Sequence, residues 1–371
     1  MKPRALGVLP GLVLILALAA GSAAACSGGA AEASVAMPVR GVWMHPGFFG
    51  PDKAAAVDKM QKTLDEYARA GIDTLIMLVK NTSGHVYYSS EIGVADTNYN
   101  YDFFGVFLEE ARKRKMTVHP WFCVFTESAL LGQVREHPEW LIKSPRREMV
   151  SVVNPALPAV REYEISLMLE VVKKYDVDWV HLDYIRYPCE PTEPFFSFDA
   201  ESLRLFKEDT GIDMAALKAR DTGNPYWNAW LRWNTDRVTV FVRELKAALK
   251  ATGRKVKISA AVFPDAPNAR VMIGQDWAAW GREGLVDMLN PMIYTNDAGI
   301  YEAYAREAVA ARKGQTLVCP GIGIGTSHNQ NTPEGMIDQM RISKALKADG
   351  VIYFSSSSLG SPFLDALKAL R

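Results

Sequence analysis

VDWVHLDYIRYP, residues 177–188, begins as an apolar strand and ends in an acid, two phenols and a guanidinium. In an extended chain, residues two apart share a face. Trp179, His181 and Asp183 therefore point one way, and Val180 and Leu182 the other. Apolar side chains on both faces mean that both faces are covered, as in a parallel sheet wrapped by helices.

The same alternation recurs along the chain. Apolar β-runs are read at 40–45, 73–81, 116–125, 177–185, 255–263, 285–294, 316–324 and 350–356. Amphipathic helical patterns are read at 54–70, 101–115, 160–174, 227–252, 301–313 and 333–348. Eight strands, most followed by a helix, predict parallel pairing through right-handed crossovers. The number favours a closed (β/α)8 TIM barrel over an open doubly wound sheet. No strand leads into GxGxxG, and the glycines of GIGIG (321–325) are followed by no phosphate-binding lysine, which removes the nucleotide readings. Two loops are long, after the third strand (from Thr126) and after the fourth (from Pro188). Loops there build the active face of a barrel, and ones this long shape a cleft.

The chain start reads separately. Lys2 and Arg4 precede an apolar run and the small residues of GSAAAC, which together form a signal peptide over 1–26. Cys26 after three alanines matches a lipobox except at Ala23, where Leu is usual. It is the candidate lipidation site, against ordinary cleavage near Ala25. Residues 27–38 read as a flexible tether and 39–371 as one catalytic-size domain. Ser27, by its likeness to Gram-negative lipoproteins, would permit sorting to the outer membrane facing the periplasm. The membrane is thus expected as a partner through a lipid. Lys plus Arg and Asp plus Glu balance at 42 each, so no strong field argues for nucleic acid.

In such a barrel, Asp183 stands at the carboxyl end of the fourth strand, where catalytic groups are kept. A carboxylate at that depth must be hydrogen-bonded or charge-paired. Pairing with Arg186 would meet that need, yet it does not explain why a costly polar group is there. The other strand ends add His45, Lys80 and Asn81, Trp121, Asp265, Tyr294 and Asp297, while His181 shares the inner face of Asp183. Aromatic rings that stack on pyranose faces, with polar groups that read hydroxyls, suggest a carbohydrate cleft. His45, Asn81, Trp121, His181, Tyr184, Arg186, Tyr294 and Asp297 are the candidate substrate contacts.

Other chemistries fit less well. Zinc-type spacings and G-x-S-x-G are absent. Lys80 would suit a Schiff base, although a lysine there more often makes an ion pair. Trp227, Trp230 and Trp233 have the helical spacing of a core stripe. Cys319 reads as a buried thiol. Cys123 and Cys189 follow successive strands and could meet in a disulfide in an oxidising compartment.

RGVWMHP (40–46), VNPALPAVREY (153–163), VDWVHLDYIRYP, VDMLNPMIY (286–294) and DGVIYFSSSSL (349–359) resemble the glycosyl-hydrolase-like family 10 barrels. That family includes envelope lipoproteins, among them divisome-localised hydrolases of peptidoglycan glycan strands that lack stem peptides. The resemblance implies a polysaccharide substrate, no metal or other cofactor, and Asp183 as the family's acidic fourth-strand residue. Met292 departs from the pattern, where Gln is expected, as does WFCVF (121–125), where a more polar segment is usual.

Glycosidic hydrolysis needs a proton donor and a second group that attacks or activates water. Asp183 is the first carboxylate. Asp265, on the adjacent strand, is the preferred partner, with Glu127 and Asp297 as alternatives. The expected function is hydrolysis of an envelope polysaccharide, foremost peptidoglycan glycan strands. The rivals are a non-catalytic glycan-binding lipoprotein and a hydrolase of an exopolysaccharide or storage polysaccharide.

Overall fold

The computed structural model describes residues 37–143, 151–189, 196–214, 223 and 225–370. Cys26, the signal peptide and nearly all of the tether lie outside the described residues. Residues 35–371 form one compact unit.

Eight parallel strands close into a barrel. They are β1 (Val39–Met44), β2 (Thr74–Lys80), β3 (Thr117–Cys123), β4 (Trp179–Asp183), β5 (Lys257–Val262), β6 (Met288–Ile293), β7 and β8 (Gly350–Phe354), with β7 made of two pieces, Leu317–Val318 and Gly321–Gly323. β1 pairs with β2 on one side and with β8 on the other, which closes the barrel. Pro320, which has no N–H to give to a ladder, separates the two pieces of β7. Both pieces pair with β6, and the second also pairs with β8.

The helices around it are α1 (Lys53–Arg69), α2 (Phe103–Lys113), α3 (Pro158–Lys174), α4 (Ala200–Thr210), α5 (Trp227–Ala251), α6 (Ala266–Ile273), α7 (Trp277–Glu283), α8 (Ala298–Ala311), α9 (Pro333–Ala345) and α10 (Ser361–Ala369). The periodicity reading missed α6 and α7, which are too short for an amphipathic pattern to develop. It also read the segment after β4 as loop, although that segment carries α4. The tryptophan stripe of α5 is core, as its spacing suggested: Trp227, Trp230 and Trp233 are all buried.

Alternation holds on every strand. Val180 and Leu182 join the large apolar layer between sheet and helices. Inside the barrel, Trp43, Ile76, Trp121, Trp179, Ala261, Met288, Cys319 and Ile352 form a second, separate cluster to which every strand or its break contributes. The exception is the end of β2. Leu78 pairs with Trp121, and Lys80 pairs with the next residue, Phe122, so Val79 is bulged out of the ladder. A bulge inserts one residue and so reverses the facing of the residues beyond it. Lys80 is turned away from the axis into the helix layer, where it meets Glu164 of α3 and Glu127.

Candidate active site

Asp183 closes β4 and is only 6 % exposed. The next residue, Tyr184, has φ +50°. This left-handed conformation is costly for a bulky side chain and is held only where the surroundings demand it. It turns the chain so that the Tyr184 N–H donates to Asp183 Oδ1 at 2.6 Å. Arg186 Nη1 donates to the same oxygen at 3.1 Å. The guanidinium is clamped between two rings, 4.3 Å from the centroid of Tyr184 and 5.0 Å from that of Phe263. Asp183 Oδ2 has no hydrogen-bond partner among the described residues. The carboxylate is therefore anchored through one oxygen and leaves the other for a ligand.

The cleft over Asp183 has a volume of about 360 Å³ and is walled by His45, Asn81, Trp121, Tyr184, Arg186 and Tyr294. Seven of the sequence candidates, Asp183 included, thus meet in one place. His45 packs edge-on against Trp121 at 4.9 Å, and Tyr294 stacks on Phe354 at 5.1 Å. Burial lowers the pKa of His45 while the Asp183 charge opposes it, which favours a neutral imidazole able to both donate and accept. Burial and the Asp183 charge together push the Tyr294 hydroxyl well up, and they raise Tyr184 as well. Both phenols stay protonated and serve as donors. The indole Nε1 of Trp121 is buried without a partner, an unmet donor in the cleft wall. Asn81 is largely committed: its Oδ1 accepts from the N–H groups of Ser83 and His85, and its Nδ2 donates to the Tyr87 hydroxyl at 2.9 Å.

His181 lies under this cleft, fully buried. Its Nε2 accepts from the Trp43 indole at 3.0 Å, and its Nδ1 is 2.9 Å from Ser259 Oγ. An indole N–H can only donate, so the His181 proton is on Nδ1. Ser259 Oγ is also 2.9 Å from His119 Nδ1, and His119 stacks on Trp179 at 4.3 Å. Burial pushes the pKa of His181 well down and that of His119 down to about 3. His181 supports the floor and is not among the cleft-lining residues.

The expected partner carboxylates lie elsewhere. Asp265 accepts from the Asn268 N–H at 2.9 Å and caps α6. Phe263 and Pro264 line an adjoining lobe, but Asp265 does not. Asp297 is exposed and caps α8 through the Ile300 N–H. Both follow a general habit of this chain, in which Asp52, Asp102, Asp199 and Asp276 also cap helices. An Asp side chain satisfies first-turn N–H groups that otherwise have no partner. Glu127 is buried 2.7 Å from Lys80, and Lys80 also donates to the carbonyls of Cys123 and Val124. Those contacts and its turned-out position exclude Lys80 as a cleft nucleophile. Among the described residues, Asp183 is the one carboxylate lining the cleft. Cys123 and Cys189 are both free thiols, Cys123 buried in the cleft wall and Cys189 exposed; no disulfide joins them.

Residues missed by sequence reasoning are Phe354, Leu78 and Thr82, all in the cleft lining. For Phe354 a signal was available, since it alternates with inward-facing Ile352 and closes β8.

The glycosyl hydrolase-like 10 family model matches residues 38–338. The chain belongs to this family. It is similar to glycosyl hydrolase YngK of Bacillus subtilis, 24 % identical over 279 residues that cover 66 % of this chain and 51 % of YngK. Glycosyl hydrolase DigH of Escherichia coli is 25 % identical over 323 residues, 72 % of this chain and 69 % of DigH. The chain thus spans about half the length of YngK. In fold, the barrel is similar to the glycoside hydrolase domain of PgaB from Bordetella bronchiseptica, with TM-score 0.70, 15 % identity, and 90 % and 99 % of the two chains covered. It is also similar to the spore cortex-lytic enzyme SleL of Bacillus cereus, with TM-score 0.53, 9 % identity, and coverage of 90 % and 74 %.

Proposed function

We propose that this glycosyl hydrolase-like 10 protein hydrolyses glycosidic bonds of peptidoglycan glycan strands, and that Cys26 carries a lipid holding it in the cell envelope. The observation that carries the reading is Asp183 itself. It is a buried carboxylate at the carboxyl end of a barrel strand, with one oxygen anchored by Tyr184 and Arg186 and the other free in an aromatic cleft. Held through one oxygen by Tyr184 and Arg186 at the edge of the cleft, Asp183 acts as nucleophile or as the charge that stabilises a developing oxocarbenium ion. His45, Trp121 and Tyr294 hold the sugar through ring contacts and hydrogen bonds.

The test is digestion of purified, peptide-stripped sacculi, with products read by mass. Asp183→Asn is nearly isosteric, so it should fold and bind glycan while turnover falls about 10²-fold or more. Unchanged turnover in the folded variant would reduce Asp183 to an ion-pair partner. A second reading, a non-catalytic glycan-binding lipoprotein, is favoured by the single carboxylate in the described lining. Strand binding without product, by wild type, would select it. For the anchor, Cys26→Ala should abolish palmitate labelling and release the protein from membranes; unlabelled, soluble wild type would refute it.

A further inference from the structure

Two side chains suited to bond-breaking chemistry face the Asp183 cleft with reactive atoms that no described residue occupies. One is Asp183, whose Oδ2 is left open because Tyr184 and Arg186 hold the other oxygen. The second is His45, which follows β1 and lines the same cleft. Its ring is half-buried, and neither ring nitrogen makes a hydrogen bond among the described residues. We propose that His45 is a catalytic residue for glycosidic cleavage: it gives the proton to the leaving oxygen and then takes one from the attacking water. The inference rests on the glycan-hydrolase reading and adds to it the group that moves the proton.

The remaining lining singles out His45. Leu78, Met292 and Phe354 carry no exchangeable side-chain proton, and Asn81, Thr82 and Trp121 hold theirs throughout the neutral range. Arg186 cannot release a proton and is committed to Asp183. Burial, followed by the Asp183 charge, pushes the Cys123 thiol and the Tyr184 and Tyr294 phenols up, so they grip their protons more tightly. An imidazole passes protons in both directions near neutrality. The ring is also held in place: it meets Trp121 edge-on at 4.9 Å and Phe354 edge-on at 6.3 Å. It has no capping duty, since the side chain accepts nothing from the helical turn Pro46–Phe49 that follows it. Burial lowers the pKa of His45 and the Asp183 charge opposes that, so the two groups already act on each other across the cleft. His119 and His181 are the reverse case, both tied to Ser259 beneath the floor.

In the first step Asp183 Oδ2 gives an electron pair to the anomeric carbon. The bond from that carbon to the bridging oxygen breaks, and its pair goes to the oxygen, which takes the imidazolium proton of His45. In the second step water adds to the anomeric carbon and its proton goes to the neutral imidazole. The bond to Asp183 breaks with its pair returning to the carboxylate. Each turnover consumes one water and leaves both side chains as they began.

The test compares wild type, His45→Gln and His45→Ala on peptide-stripped glycan strands, with melting curves showing that each variant is folded. Turnover should fall about 10²-fold or more in both variants, with KM changed far less than kcat. The charged and titratable groups facing His45 in the lining are Asp183, Arg186, Tyr184, Tyr294 and Cys123. In wild type, kcat/KM should fall as pH rises through an inflection below the ordinary imidazole value of 6.5. That inflection should vanish from both variants, and added imidazole should restore His45→Ala severalfold without speeding wild type. Wild-type turnover in a folded variant would overturn the proposal, as would a slow variant that keeps the wild-type pH profile and is not rescued. If wild type cuts no strand, the hydrolase reading fails and the proposal falls with it. A wild type that cuts, beside variants that cut equally well, refutes the proposal alone.

Discussion

Replacing Glu164 by glutamine should change how the stability of the protein depends on pH. Lys80, Glu127 and Glu164 are all buried, with Lys80 Nζ 2.7 Å from Glu127 and 3.0 Å from Glu164. One cation cannot neutralise two carboxylates, and a surplus charge at such a site is expelled by taking up a proton. Burial, aided by the Glu127 charge and opposed by Lys80, pushes Glu164 up to about 8 from an ordinary 4.5. Lys80 remains charged: burial works against its ammonium, but the two carboxylates outweigh that and raise its pKa. Glu127 Oε1 faces the Lys80 ammonium at 2.7 Å, while Glu164 Oε2 is buried without a hydrogen-bond donor. A proton on Glu164 supplies one.

The sign comes from proton counts. Between about 4.5 and about 8, folded Glu164 keeps a proton that the unfolded chain releases. Its contribution to stability is complete below the lower value and is lost as pH rises towards the upper one, at up to about 1.4 kcal/mol per pH unit. The amide introduced by Glu164→Gln resembles the protonated form at every pH. The difference between Glu164→Gln and wild type should therefore widen steadily from about pH 5 to about pH 8, within the window set by the raised pKa. At roughly 2–4 °C per kcal/mol for a large domain, the wild-type Tm should fall behind by several degrees. Scanning calorimetry of both proteins at matched ionic strength measures this. Parallel Tm–pH curves would refute a protonated Glu164.

The same geometry sets further outcomes. Asp265→Ala should lose about 1 kcal/mol with the α6 cap and keep full turnover; loss of turnover without loss of stability would return Asp265 to the chemistry. Ser259→Ala strands the Nδ1 atoms of both His119 and His181, and unfolding should report a loss of about 1–3 kcal/mol for each buried group left unpaired. Gly84 has φ +92°, and a methyl group there would fall 1.9 Å from Glu127 Oε2. Gly84→Ala should accordingly cost more than about 1 kcal/mol, and a neutral result by denaturant titration would contradict the tight seat of Glu127.

The barrel and the depth of Asp183 were legible because both rest on alternation, a property of neighbouring residues. Residues 177–185 set Trp179, His181 and Asp183 inward, and so they stand. Alternation failed at Lys80, where the bulge at Val79 is set by pairing with β3 and leaves no mark in the sequence of β2. Asp265 and Asp297 were misread for another reason. DAPN (265–268) and DAGI (297–300) are helix starts, and the Pro shortly after Asp265 is itself a first-turn signal. A carboxylate just past a barrel strand also stands where the next helix needs its cap. The adjoining lobe was out of reach, since it joins residues from the ends of β4 through β8, and such adjacency exists only once the barrel closes.

The hydrogen-bonded run from Trp43 through His181 and Ser259 to His119 has a consequence for kinetics. Both imidazoles stay uncharged at neutral and mildly acidic pH, because burial drives their pKa values far down. The floor of the cleft is electrically silent: it takes up no proton, carries no counterion and sends no field upward as the medium acidifies. An inflection in a pH–rate profile cannot then come from this floor, and His45 is the imidazole that lines the cleft itself. The floor acts as an insulator beneath the rim.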